Sequence, residues 1–143
     1  CGHYETRPAP APEKWDPVRG ETLRIALDGL PTDHAWHGET FLVPTAPGEF
    51  LAGATWGRDA LAQGPTPEGR NELESRLGSW VRTPYTVTGH YAGVRPSSFT
   101  RDPVACIAPS QPDHALLNGL GSQGALHAPF ITHTLFDQWN LPR

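Results

Sequence analysis

Proline and glycine together account for 31 of the 143 residues, and they are spread along the whole chain. Proline fixes φ and removes a backbone donor, and glycine loses the most conformational entropy on folding, so neither is at home inside a regular element. A bundle of long helices is therefore excluded, and short elements joined by many turns are expected. The share stays below the low-complexity range, and 37% hydrophobic with 18% charged residues suits one ordinary folding domain. No apolar run is long enough to cross a membrane, so no membrane partner is expected.

Eleven basic side chains face fifteen acidic ones, a net charge of −4 with a pI near 5.9, and Lys and Arg form no run. Phosphate backbones demand a basic footprint that this chain lacks, so nucleic acid is not an expected partner. Two cysteines, Cys1 and Cys106, make no disulfide scaffold and point to a reducing, cytoplasmic setting. The chain contains no Met, and its opening Cys-Gly-His-Tyr has neither the basic start nor the apolar core of a signal peptide. It is expected to begin inside a longer gene product.

Residues 1–20, with Pro8, Pro10, Pro12 and Pro17, read as an extended connector. Alternation over Glu21 to Leu27 predicts a half-buried strand. Thr40 to Pro44 and Phe50 to Trp56 predict a hairpin turned at Pro47-Gly48. Thr66 as cap, Pro67 as first helical residue, and Leu73, Leu77 and Trp80 on one face predict a helix over 67–80. Strands are expected at Thr86 to Val94, Val104 to Ile107 and Ala115 to Leu117. A final helix over 124–139 spaces Leu126, Phe130, Leu135 and Trp139 helically, with Pro129 near its start as a point of bending. The order is mixed α+β.

Four groups of residues could carry chemistry. Asn118-Gly-Leu-Gly-Ser-Gln-Gly124 runs from an apolar strand through Gly119, Gly121 and Gly124 into a helix, where free amides and the positive helix end suit an electron-rich oxygen. A dinucleotide unit needs a second strand with an acidic residue about 20 residues further on, and the sequence ends at Arg143. This stretch is thus either a ligand loop or a plain Gly-rich turn. Gly93-Val-Arg-Pro96 sets Arg95 at a strand end, where a guanidinium could grip a carboxylate through two parallel hydrogen bonds or make an internal salt bridge. Trp56-Gly-Arg-Asp59 places an aromatic that could line a substrate pocket or pack in the core. His34, His37 and His90 lack the spacing of a metal site, so no metal is expected, and Ser97-Ser98 has no base to make a nucleophile.

Taken in order, Arg19-Gly-Glu-Thr-Leu, Phe41-Leu-Val-Pro44, Phe50-Leu-Ala-Gly-Ala-Thr-Trp56, Pro65-Thr-Pro-Glu-Gly-Arg70, Ala92-Gly-Val-Arg-Pro96 and Asn118-Gly-Leu-Gly-Ser-Gln-Gly-Ala-Leu-His-Ala-Pro129 resemble the FAD-dependent oxidoreductases of the D-amino-acid oxidase and glycine oxidase type. The resemblance implies a partial chain: a connector over 1–20, part of a β-rich substrate-binding domain with one crossing helix over 21–105, and a flavin-contacting strand, Gly-rich loop and helix over 106–143. The main FAD site would then lie upstream of residue 1, with the flavin held non-covalently. Arg95 resembles the arginine that pairs with the substrate carboxylate, and Trp56 is the second substrate-side candidate. Gly119, Gly121, Ser122, Gln123 and Gly124 resemble the loop whose amides approach the flavin pyrimidine carbonyl.

The implied activity is oxidation of the amine of an amino acid or related small amine by hydride transfer to flavin, with no general base nominated and this chain alone inactive. Thr100 stands where relatives usually carry Asp, and Cys106 where they carry Gly. Those two departures support the alternative of a non-catalytic paralogue serving as a binding module. An oxidase domain that modifies tRNA alongside a methyltransferase has the same fold class and is the third reading.

Overall fold

The structure, a computed structural model, describes residues 15–100, 103–108 and 111–139. The expected connector over 1–20 lies outside the described residues as far as residue 14. The elements run β1 (Val18–Ala26), β2 (Trp36–His37), β3 (Phe41–Ala46), β4 (Glu49–Gly53), α1 (Pro67–Trp80), β5 (Thr86–Arg95), β6 (Val104–Ala108), β7 (Gln111–Asn118), a 3₁₀ turn (Gly121–Gln123) and α2 (Gly124–Trp139). This is the mixed α+β fold expected from the sequence. The chain divides into two compact units, Arg19–Gly93 and the stretches on either side of it.

The first unit is a sheet of order β2-β3-β4-β1-β5. β4 pairs antiparallel with β1, Leu23 opposite Ala52 and Ile25 opposite Phe50, and with β3, Leu42 opposite Ala52. The hairpin turns at Pro47-Gly48 as predicted, with Gly48 at φ +73°, the left-handed region that glycine enters without a Cβ clash. Alternation in β1 sends Leu23, Ile25 and Leu27 to one face, where Leu42, Phe50 and Ala52 join Leu73 and Leu77 of α1 in a fully buried core. α1 starts and stops where predicted: Thr66 caps it by accepting the Gly69 N–H at 3.1 Å, and Pro67 fills the first position, whose missing N–H costs nothing there. Trp80 packs against the edge of the same core.

Several strand limits differ from the sequence reading: β3 runs Phe41–Ala46 instead of Thr40 to Pro44, β7 runs Gln111–Asn118 instead of Ala115 to Leu117, and β5 and β6 each extend one residue further. β1 begins at Val18, three residues earlier than expected, and β4 ends at Gly53 instead of running to Trp56. Residues 54–57 nonetheless follow β1: Thr55 N–H donates to Glu21 O at 3.2 Å, and Arg19 and Gly57 exchange backbone bonds of 2.8 and 3.0 Å. The apolar alternation therefore persists in the sequence after the regular ladder has stopped.

In the second unit β6 and β7 form an antiparallel hairpin, from Val104 opposite Asn118 to Ile107 opposite Ala115, and α2 lies against β6. The helical spacing of Leu126, Phe130 and Leu135 does not make one buried face. Leu135 is 7% exposed, whereas Leu126 and Phe130 are 74% and 75% exposed. At about 100° per residue, Leu135 points to the side of the helix opposite Leu126. The side chain of Trp139 is outside the described set. Pro129 sits inside α2, which continues through it.

Candidate functional site

Arg95 is the last residue of β5, and the residues after it are stitched to the Gly-rich loop. Pro96 O accepts the Gly121 N–H at 2.8 Å, and Ser97 forms an isolated bridge with Leu120. On the other side Asp16 N–H donates to Ser97 O at 2.8 Å, and Trp15 bridges Ser98. Ser97 and Ser98 are buried in this arrangement.

Gly119 and Gly121 lie at φ +72° and +55°. A Cβ at Gly121 would stand 3.0 Å from Ser97 Oγ, so both the dihedral and the close approach call for glycine. The chain then makes one 3₁₀ turn and enters α2 at Gly124, presenting first-turn amides and the positive end of the helix. Two of the loop amides are committed internally, Gly121 to Pro96 O and Gln123 to Leu120 O at 3.2 Å. Ser122 and Gln123 are exposed. Gly121 is thus the turn-former of the loop.

Burial pushes the pKa of the half-buried Arg95 guanidinium below the ordinary arginine value. Arginine stays charged all the same, and a cation that has given up water gains more from an anion beside it. Cys106 is half-buried on β6 opposite Leu116, and burial pushes its thiol up, favouring the protonated form. Thr100 is in an exposed turn with its hydroxyl 3.3 Å from Ser98 Oγ.

The first unit contains a polar cluster that sequence reasoning missed. Glu21 is 1% exposed on the same strand face as Leu23 and Ile25. Its Oε1 accepts from Thr66 Oγ1 at 2.7 Å and meets Arg19 Nη1 at 2.7 Å; its Oε2 accepts from Thr66 N–H at 2.9 Å. His90 Nε2 stands 2.6 Å from Oε2, a close contact without the alignment of a hydrogen bond. Burial on its own would raise this carboxyl's pKa, but the Thr66 amide and hydroxyl and the Arg19 guanidinium outweigh it and hold the group below its ordinary value. The signal was available: position 21 has the parity of Leu23, Ile25 and Leu27, and a charge on an apolar strand face needs a partner.

Trp56 follows β4 in the chain and is 52% exposed, so it is not the core tryptophan that its place after a strand allowed. The three histidines considered for a metal do not gather. His34 pairs with Asp33 and tilts against Trp36, while His90 serves Glu21. Among the described residues no group of three or more His, Cys, Asp or Glu could hold a metal ion. Nor, among them, is any helix long and apolar enough to cross a membrane.

The family model for FAD dependent oxidoreductases (DAO) matches residues 1–138. The chain belongs to that family. FAD is the cofactor of the family, and the left-handed glycines leading into the N-terminus of α2 are a backbone that fits an electron-rich cofactor oxygen. The tRNA 5-methylaminomethyl-2-thiouridine biosynthesis bifunctional protein MnmC of Marinobacter nauticus is 30% identical over 156 residues, 96% of this chain and 25% of that protein. Glycine oxidase from Geobacillus kaustophilus shares the fold with a TM-score of 0.71 at 18% identity, over 88% of this chain and 35% of its own. Iminodiacetate oxidase from Chelativorans does so at 0.68 and 21% identity, over 88% and 36%. FAD-bound L-α-glycerophosphate oxidase from Mycoplasma pneumoniae does so at 0.62 and 22%, over 90% and 37%. The chain therefore spans about a quarter to a third of the length of these proteins.

Proposed function

We propose that this chain is the substrate-binding and flavin-capping part of an FAD-dependent oxidoreductase that oxidises an amine carrying a carboxylate on the neighbouring carbon. The observation that carries the reading is the 2.8 Å bond from Gly121 N–H to Pro96 O, which makes Arg95 and the Gly-rich loop one piece of backbone. Arg95 takes the substrate carboxylate, preferably in a bidentate pair, and so fixes which carbon faces the flavin. FAD, when bound, supplies the hydride acceptor. With Gly119 and Gly121 shaping the loop and Gln123 committed to Leu120, the Ser122 amide and the positive end of α2 hold an electron-rich cofactor oxygen. Trp56 offers an exposed indole face that contacts the substrate as an apolar wall or takes its ammonium form. Glycine oxidase and iminodiacetate oxidase, named for primary and secondary amines with carboxylates, support this substrate class.

A second reading is favoured by the MnmC relative, whose name places it in the synthesis of a methylaminomethyl-bearing tRNA nucleoside. There the amine oxidised belongs to a tRNA base. The acidic balance of this chain puts the tRNA contacts on other parts of such a protein. Oxygen consumption by the FAD-loaded gene product, supplied in turn with glycine, iminodiacetate, methylamine, dimethylamine and undermodified tRNA, tests both. The first reading expects turnover of the two carboxylate-bearing amines and none of methylamine or dimethylamine. Turnover of tRNA alone would replace it with the second, and equal turnover of amines with and without a carboxylate would remove Arg95 from its assigned role.

A further inference from the structure

Trp56 is a large exposed aromatic, yet each of its chain neighbours is fastened to a residue of β1. Before it, Thr55 is buried; its N–H donates to Glu21 O at 3.2 Å, and its Oγ1 accepts the Glu21 N–H at 2.8 Å. After it, Gly57 exchanges two backbone bonds with Arg19. The side chains of Arg19 and Glu21 also secure the stretch of chain from Gln63 to Thr66. Arg19 Nε donates to Gln63 O at 3.0 Å and its Nη2 to Gly64 O, while Glu21 receives the amide and hydroxyl of Thr66. Between these anchors Ala60 is held at φ +49°, a left-handed conformation that a non-glycine residue keeps only when its surroundings impose it. The close packing extends into α1, where a Cβ on Gly69 would fall against the Glu21 carboxylate.

We infer that Arg19 and Glu21 are positioning residues for Trp56: one ion pair on β1, 2.7 Å long, fixes the stretch after β4 that carries the indole and the 58–66 loop beyond it, so that the aromatic is presented rigidly to the substrate. The inference rests on the assignment of Trp56 as a substrate contact. A fixed aromatic binds without first losing freedom, so loosening its mount should weaken substrate binding more than it slows chemistry. Neither Arg19 nor Glu21 touches the substrate in this account. They act through the backbone on either side of Trp56.

The test uses the FAD-loaded gene product labelled with 5-fluorotryptophan, with the Trp56 resonance assigned by its loss in Trp56→Phe. Steady-state constants for glycine and iminodiacetate are measured on the wild type and on Trp56→Ala, Glu21→Gln and Arg19→Lys. Arg19→Lys keeps the charge while losing the fork to Gln63 and Gly64, and it serves if Glu21→Gln fails to fold. The expected result is a single narrow Trp56 line in the wild type, broadened or doubled in both β1 variants. KM should rise about five- to tenfold with kcat within about twofold, and Trp56→Ala should show the same split. If Trp56→Ala raises KM but both β1 variants leave the line and KM unchanged, the positioning role is overturned while the reading of Trp56 stands. If Trp56→Ala leaves KM unchanged, that reading fails and the positioning role with it.

Discussion

Glu21 shares a strand face with Leu23, Ile25 and Leu27, where an ion is tolerated only when its oxygens are satisfied. That demand explains Gly69 on the neighbouring helix. In an open helix Gly→Ala gains about 1 kcal/mol, but here the added methyl would meet the carboxylate. Gly69→Ala is therefore expected to lower the thermal midpoint, and a rise would show that Glu21 has room to move. Sequence spacing made Arg95 and the glycines of the loop visible because charge at a strand end and a Gly-x-Gly-x-x-Gly run are local patterns. Glu21 was hard to read because, apart from Arg19 two positions away, its partners Thr66 and His90 are 45 and 69 positions away, and only its parity with the leucines marked it.

At the scale of the element, α1 was fully legible. Its cap, first-turn proline and buried Leu73 and Leu77 are all encoded within 15 residues, from Thr66 to Trp80. Thr66→Ala removes both the cap and a hydrogen bond to a buried carboxylate, and unfolding by denaturant should show a loss of about 2–3 kcal/mol. Leu77→Ala opens a cavity in a fully buried site and should cost about 2–5 kcal/mol by the same measurement. A loss near zero in either would mean that α1 is not docked on the sheet as described. α2 was legible as a helix but not in its facing. Its apolar residues sit on two sides, and periodicity cannot say which side the fold covers; Leu135 is buried and Leu126 and Phe130 are not. The two-residue β2 carries no sequence signal, since a pair that short is set by its partner β3.

For the molecule as a whole, acid stability depends on the same carboxylate. Its pKa in the folded protein lies below the ordinary 4.5, so the stability it contributes is complete above that value and disappears as pH falls through the lower, folded value. Glu21→Gln should therefore be less stable than the wild type at neutral pH, with the gap narrowing below about pH 4.5, as read from thermal midpoints across a pH series. A constant gap would mean that Glu21 is not ionised in the fold. The mixed α+β class was legible from element order. The family was legible only through an ordered set of short motifs spread over more than a hundred residues, each weak alone.

The most direct test of the account is anaerobic bleaching of the flavin in the FAD-loaded gene product, titrated with glycine beside Arg95→Ala and Arg95→Lys. Loss of a charge-assisted contact of about 1.5–3 kcal/mol predicts about 10- to 150-fold weaker apparent affinity in Arg95→Ala with the flavin spectrum before titration intact, and partial recovery in Arg95→Lys. Equal bleaching at equal glycine concentration in all three proteins would contradict the claim that Arg95 holds the substrate.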